Sequence, residues 1–85
     1  MGGRVMRKRI TKVEPLESFR LRVIFEDDAV KIFDVVPYLD TTFFNRLREE
    51  EYFNQVEIGD YGDSVRWDDG QDFSADMLYA RGESV

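Results

Sequence analysis

Residues 19–25 read FRLRVIF, with Phe19, Leu21, Val23 and Phe25 alternating with Arg20 and Arg22. A period of two is the mark of a strand with one buried and one wet face, because successive side chains of an extended chain point to opposite sides. Ile24 interrupts the polar set and implies partial cover there. After Glu26-Asp27-Asp28-Ala29 a second apolar run fills residues 30–36. Together they predict a β-hairpin with Asp27-Asp28 at its turn, since Asp tolerates positive φ better than most residues. A two-residue turn sets Phe25 against Val30, Val23 against Ile32 and Leu21 against Asp34. Asp34 then lies on the core side, where its carboxylate is expected to accept backbone N–H groups of the following bend.

The rest of the chain supplies cover for that hairpin. Residues 10–14 alternate as a short strand, and Pro15 either stops it or places it at a sheet edge. Val36-Pro37-Tyr38-Leu39 suits one helical turn with Pro at its first position. Asp40, Thr41 and Thr42 offer caps for a helix that puts Phe43, Phe44 and Leu47 on one face. Glu49, Glu50 and Glu51 suit the start of a further short helix carrying Tyr52 and Phe53. Residues 55–58 and 64–67 read as strands, separated by a loop holding Gly59 and Gly62. The Asp69-Gly70 pair is a strong hairpin signal. Asp72 or Ser74 then caps a helix that turns Phe73, Met77, Leu78 and Tyr79 to the core and frays at Gly82.

Eighty-five residues allow one core. The expected fold class is α+β, in β-β-β-α-α-β-β-α order, with a mainly antiparallel sheet under short helices. The expected divisions are a basic arm at 1–9, the domain at 10–80 and a tail at 81–85. Met6 offers a second start, so residues 1–5 do not enter the fold reasoning. Seven Phe, four Tyr and one Trp let so small a core stand without staples, each ring removing about 150–250 Å² from water.

The absences exclude more functions than the motifs suggest. The chain has no cysteine and no histidine. Disulfides, thiolate metal sites, the commonest general base and every Ser-His or Cys-His dyad are therefore ruled out. Ser18, Ser64, Ser74 and Ser84 lack a base, and neither Lys12 nor Lys31 sits in a Schiff-base pattern. No catalytic residue and no cofactor is expected. The net charge is −6, yet Arg4, Arg7, Lys8, Arg9 and Lys12 crowd the first twelve positions. An acidic domain repels phosphate backbones, so nucleic acid is an expected partner only for the basic arm, which reads first as a solvated tail. No apolar run suits a signal peptide or a membrane span, and the expected compartment is the cytoplasm.

Asp60, Asp63, Asp68, Asp69, Asp72 and Asp76 form the densest constellation. Hard cations want oxygen ligands, which makes the first five weak metal candidates. The spacing fails the calcium-loop pattern, and turn or cap roles explain most of these aspartates one by one. Trp67 is either an exposed hot spot or a core anchor, and its alternation with Val65 and closeness to Phe73 favour the anchor. Trp67, Gly70, Asp72, Phe25, Asp34 and Leu78 are read as architectural anchors.

Several stretches carry a resemblance: Ile10-Thr11-Lys12-Val13-Glu14-Pro15-Leu16, Leu21-Arg22-Val23-Ile24-Phe25-Glu26-Asp27, Phe33-Asp34-Val35, Phe44 to Leu47 and Tyr52-Phe53. The most specific is Trp67-x-x-Gly70-x-Asp72 with Leu78-Tyr79. With these the chain resembles the bacterial domain-of-unknown-function 2442 family. The resemblance implies a small α+β domain, with Gly often standing where Asp28 is and Pro or Asn where Asp68 and Asp69 are. It implies no enzymatic activity. It does imply association with a small partner protein, in a layout similar to toxin–antitoxin modules. The leading expectation is a non-catalytic binding module for a small basic protein. The alternative is a small-ligand or divalent-metal-binding regulatory domain using the acidic 60–72 loops. Self-association through a sheet edge is a third expectation.

Overall fold

The computed structural model describes residues 8–85. Seven strands form two antiparallel sheets. Strands β1 (Ile10–Leu16), β2 (Arg20–Phe25) and β3 (Val30–Asp34) make the first with the two-residue β7 (Glu83–Ser84), in the order β1-β2-β3-β7. Strands β4 (Glu57–Ile58), β5 (Ser64–Arg66) and β6 (Asp72–Ser74) make the second. Two short helices, α1 (Glu50–Phe53) and α2 (Ala75–Arg81), and three single 3₁₀ turns complete a small α+β domain. The antiparallel α+β class matches the sequence reading, but the strands fall into two sheets, and the order gains β6 and β7.

The first hairpin differs from expectation in its loop. Phe25 N–H donates to Ala29 O and Asp28 N–H to Phe25 O, both at 2.9 Å. That is a three-residue loop, Glu26-Asp27-Asp28, with Asp28 left-handed at φ 68°. One more residue than a two-residue turn moves every cross-strand partner by one. Leu21 therefore lies opposite Phe33, Arg22 opposite Ile32 and Arg20 opposite Asp34. Phe33 takes the core place expected of Asp34, and Asp34 is exposed on the outer face. Its carboxylate still accepts the Val36 N–H at 3.0 Å, in the bend that follows. Lys31 shares the inner face with Val23, and its ammonium leaves past the Tyr79 ring, 4.7 Å from the centroid, to reach Ser84 Oγ.

Strand β1 runs through Pro15 and lies at the sheet edge, where a missing N–H disturbs no ladder. A bulge between Ile10 and Lys12 lets Ile10 and Val13, three apart, both face inward. Phe19 is not in the strand. It follows Ser18 in a turn, both residues being left-handed at φ 63° and 58°. Its ring still meets Phe53 edge-on at 5.4 Å.

Pro37 sits in the 3₁₀ turn Val36–Tyr38, and a second such turn, Asn45–Arg48, buries Leu47. Phe43, expected in the core, is 54% exposed: it and Phe44 precede the turn Asn45–Arg48, so the helix that would set Phe43, Phe44 and Leu47 on one face does not form. Helix α1 buries Tyr52 and Phe53. Ser74, whose hydroxyl accepts the Met77 N–H at 3.1 Å, is the cap of α2. Asp72 instead lies in β6, opposite Arg66. The residues read as a tail after residue 80 contain the end of α2 and β7, which pairs with Lys31 and Ile32. Of the expected basic arm, residues 1–7 lie outside the described residues. Lys8 and Arg9 are held at the first hairpin: Arg9 O accepts the Glu26 N–H at 2.8 Å, and Lys8 Nζ lies 3.1 Å from Asp27.

One core joins both sheets and the helical segments. Leu21, Val23, Phe25 and Phe33 come from the first sheet, Val35 from the residue just after it, Val65, Trp67 and Phe73 from the β5–β6 side, and Tyr52, Phe53 and Leu78 from the helices. Phe33 and Phe73 meet across the sheets at 5.1 Å.

Candidate functional site

The Trp67 hairpin repeats the loop chemistry of the first one. Trp67 N–H donates to Gln71 O at 2.9 Å and Gly70 N–H to Trp67 O at 3.0 Å, with Gly70 at φ 100° in the place of Asp28. Alternation across this loop puts Val65, Trp67, Gln71, Phe73 and Ala75 inward. Trp67 is 2% exposed. Its ring packs on Phe53 at 5.8 Å and Phe73 at 6.1 Å, and its indole N–H donates to Phe53 O at 2.9 Å. A residue so enclosed offers no surface to a partner. Leu78 and Phe25 are likewise fully buried.

Gln71 is the one buried polar side chain among the described residues, and every group around it is paired. Tyr52 Oη donates to its Oε1 at 2.8 Å and accepts the Asp69 N–H at 2.8 Å, while Gln71 Nε2 donates to Phe43 O at 3.2 Å. Arg46 closes the network from outside: its guanidinium lies 4.1 Å from the centre of the Tyr52 ring and pairs with Asp69. No motif in the sequence singles out Tyr52 and Gln71 as a polar pair. The one signal for Gln71 is its shared parity with Phe73 and Ala75.

The five acidic metal candidates do not converge. Asp69 is tied to Arg46, and Asp60 lies 3.8 Å from Arg66. Asp72 is in β6, Asp68 borders a shallow recess with Glu57, and Asp63 borders a different cleft. Among the described residues no three acids stand close enough to share an ion. The second cleft is about 410 Å³ and is lined by Lys8, Arg9, Tyr61, Asp63, Ser74, Ala75 and Asp76. Tyr61 stands over it, left-handed at φ 58° and 84% exposed. No strong pattern marks Tyr61, since a Gly-Asp-Tyr-Gly-Asp loop says nothing of which way its ring turns.

Among the described residues, three groups are displaced from their ordinary ionisation, all toward the charged form. The Ala29 N–H, with Lys8 and Tyr79, holds the Asp27 carboxyl below the usual range. Asp27 in turn raises Lys8, and Asp69 raises Arg46. Proton transfer in catalysis needs the opposite displacement, toward neutrality. No helix among the described residues is long and apolar enough to cross a membrane.

Residues 10–84 match the family described as protein of unknown function, DUF2442. The chain belongs to this family. The match begins at the first residue of β1 and ends in β7, so the DUF2442 unit includes both edge strands of the first sheet. The Trp67 hairpin of this DUF2442 domain is thereby part of its architecture. Comparison with curated proteins and with solved structures found no match.

Proposed function

We propose that this domain is a non-catalytic binding module that pairs with a small basic protein, in an antitoxin-like arrangement. The observation that carries the reading is an excess of exposed carboxylate. From residue 13 onward the chain has seven basic and eighteen acidic residues, a net charge of −11. Three of the seven cations are spent locally: Arg46 on Glu49 and Asp69, Arg48 on Asp40, Arg66 on Glu57 and Asp60. Among the described residues, no Lys or Arg nitrogen lies within ion-pair distance of exposed Asp63, Asp68, Asp72 or Asp76. Carboxylates left in this way steer a cationic partner and raise its association rate. The charge-favouring displacements at Lys8, Asp27 and Arg46 also suit a binding surface better than a proton-transfer site.

Tagged protein in extract of its native cells should retain one small basic protein at about 50 mM salt and release it at about 500 mM, where screening shortens to a few ångströms. Asp68→Lys with Asp72→Lys should lower the retained amount. Recovery of the tagged protein alone, read by mass spectrometry, overturns the reading.

A further inference from the structure

The chain contains a single aspartate followed by glycine, Asp69-Gly70, and both residues are exposed in the Trp67 hairpin loop. Every other aspartate, and both asparagines, precede a residue with a Cβ. The difference is chemical. The backbone nitrogen of the following residue can attack an aspartyl side-chain carbon and close a five-membered ring. A side chain on that residue crowds the attack, and glycine has none. At Gly70 even a Cβ would meet nothing within 4 Å, so the ring has room.

We propose that Asp69 is a site of isoaspartate formation in the folded chain, and that Arg46 slows the reaction. First the Gly70 nitrogen bonds to the Asp69 side-chain carbon, the nitrogen gives up its proton, the carboxyl its hydroxyl, and water leaves. Water then adds to the ring carbonyl that was the Asp69 main-chain carbonyl, and the bond from that carbon to the Gly70 nitrogen breaks. The chain now runs through the former side chain, one backbone atom longer, with a free carboxylate on Cα. One water leaves and one enters, so the mass is unchanged and no other reactant is needed.

The dipeptide alone does not show the brake. Three contacts hold the reacting groups in other bonds. Gly70 N–H donates to Trp67 O at 3.0 Å, Asp69 N–H donates to Tyr52 Oη at 2.8 Å, and the Asp69 carboxylate pairs with Arg46. The first two hold the main chain and release only when the loop opens. Arg46 holds the side chain itself, the part that must swing toward Gly70. It comes from 23 positions away and lies over the Tyr52 ring, 4.1 Å from its centre. Both partners of the pair are about half exposed, so its hold amounts to a few-fold in rate.

Isoaspartate would alter the loop it forms in. The extra backbone atom falls between the ends of the Trp67 N–H to Gln71 O bond, which helps turn Trp67 inward. The new carboxylate is one carbon shorter than the arm that reached Arg46. Aged copies should therefore melt below fresh ones.

The test keeps the whole chain at mildly acidic pH and physiological temperature for weeks, with samples digested by trypsin at intervals. Asp69 falls in the peptide 67–81, and electron-transfer fragmentation locates isoaspartate among its four aspartates. Isoaspartate should accumulate at Asp69 before any other aspartate. Arg46→Gln should raise its rate about two- to fivefold, and Arg46→Lys, which keeps a cation beside Asp69, should return most of the difference. Arg48→Gln removes a comparable exposed pair, with Asp40, and should leave the rate unchanged. Accumulation first at another residue, or at none, overturns the site. Equal rates in wild type and Arg46→Gln overturn the brake. A rise in Arg46→Gln that Asp28 and Asp63 share reports general loosening and overturns it too.

Discussion

Tyr52 donates a 2.8 Å hydrogen bond to the Gln71 side chain while its own oxygen accepts the Asp69 N–H, and so ties α1 to the Trp67 hairpin. The bond lies inside the core, where an unpaired polar atom has no water to turn to. Tyr52→Phe leaves both Gln71 Oε1 and the Asp69 N–H without their partner. Urea unfolding should show a loss of about 1–3 kcal/mol. A double-mutant cycle with Gln71→Leu should give a coupling of about 0.5–3 kcal/mol, and zero coupling would refute the link.

Trp67 combines packing with one donor, and the two contributions separate by substitution. Trp67→Ala should cost about 3–5 kcal/mol, the loss of a large buried ring and the cavity it leaves. Trp67→Phe keeps part of the packing and removes one of the two donors to the Phe53 carbonyl, which still accepts the Val56 N–H, at about 1 kcal/mol. An alanine variant that unfolds at the wild-type urea midpoint contradicts the buried position.

Two glycines in left-handed conformations should respond differently to alanine. At Gly70, with φ 100°, a Cβ would meet nothing within 4 Å, so Gly70→Ala should cost only backbone strain, about 1–2 kcal/mol. Gly62, at φ 73°, carries the same strain, and a methyl there would also press against the Ile10 carbonyl oxygen. Gly62→Ala should therefore be the more damaging of the two. Equal thermal shifts would show that the approach to β1 relaxes freely.

Asp27 predicts an acid limb to the stability. The Ala29 N–H bond, with Lys8 and Tyr79, lowers its folded pKa beneath the ordinary 3.8, so its contribution is present above that value and lost as pH falls through the depressed one. Lys8 works in reverse: raised above 10.5 by Asp27, it contributes fully below that value and loses its contribution as pH rises through the raised one. The melting difference between wild type and Asp27→Asn should therefore be steady at neutral pH and vanish in strong acid. A difference that persists at about pH 2 would contradict the sign.

Much of the fold could be read from short-range pattern. The alternation of Leu21, Val23 and Phe25, the parity of Val65 with Trp67, the Asp69-Gly70 turn and a helix start at Asp72 or Ser74 each rest on a handful of adjacent residues. Strands β6 and β7 could not be read in this way, because two or three residues do not complete a period that distinguishes strand from loop. The acidic run from Asp60 to Asp76 looks like one feature in the chain, but folding places its members on different turns and beside different arginines. The cleft beneath Tyr61 joins residues from Lys8 to Asp76, a separation that no local pattern spans.

What the sequence determined alone was the identity of the longer elements and the chemistry closed to the chain, since a chain without His or Cys excludes their reactions in any fold. What only the tertiary structure decided was which side of β3 faces the core. A single residue in the loop after Phe25 exchanged Asp34 for Phe33, because side chains alternate along a strand and a shift of one reverses them all. Two-residue and three-residue loops are both common hairpin connections, so the local sequence at Asp27-Asp28 does not choose between them. Burial of Phe33 against Phe73 and Leu21, residues distant in the chain, settles it.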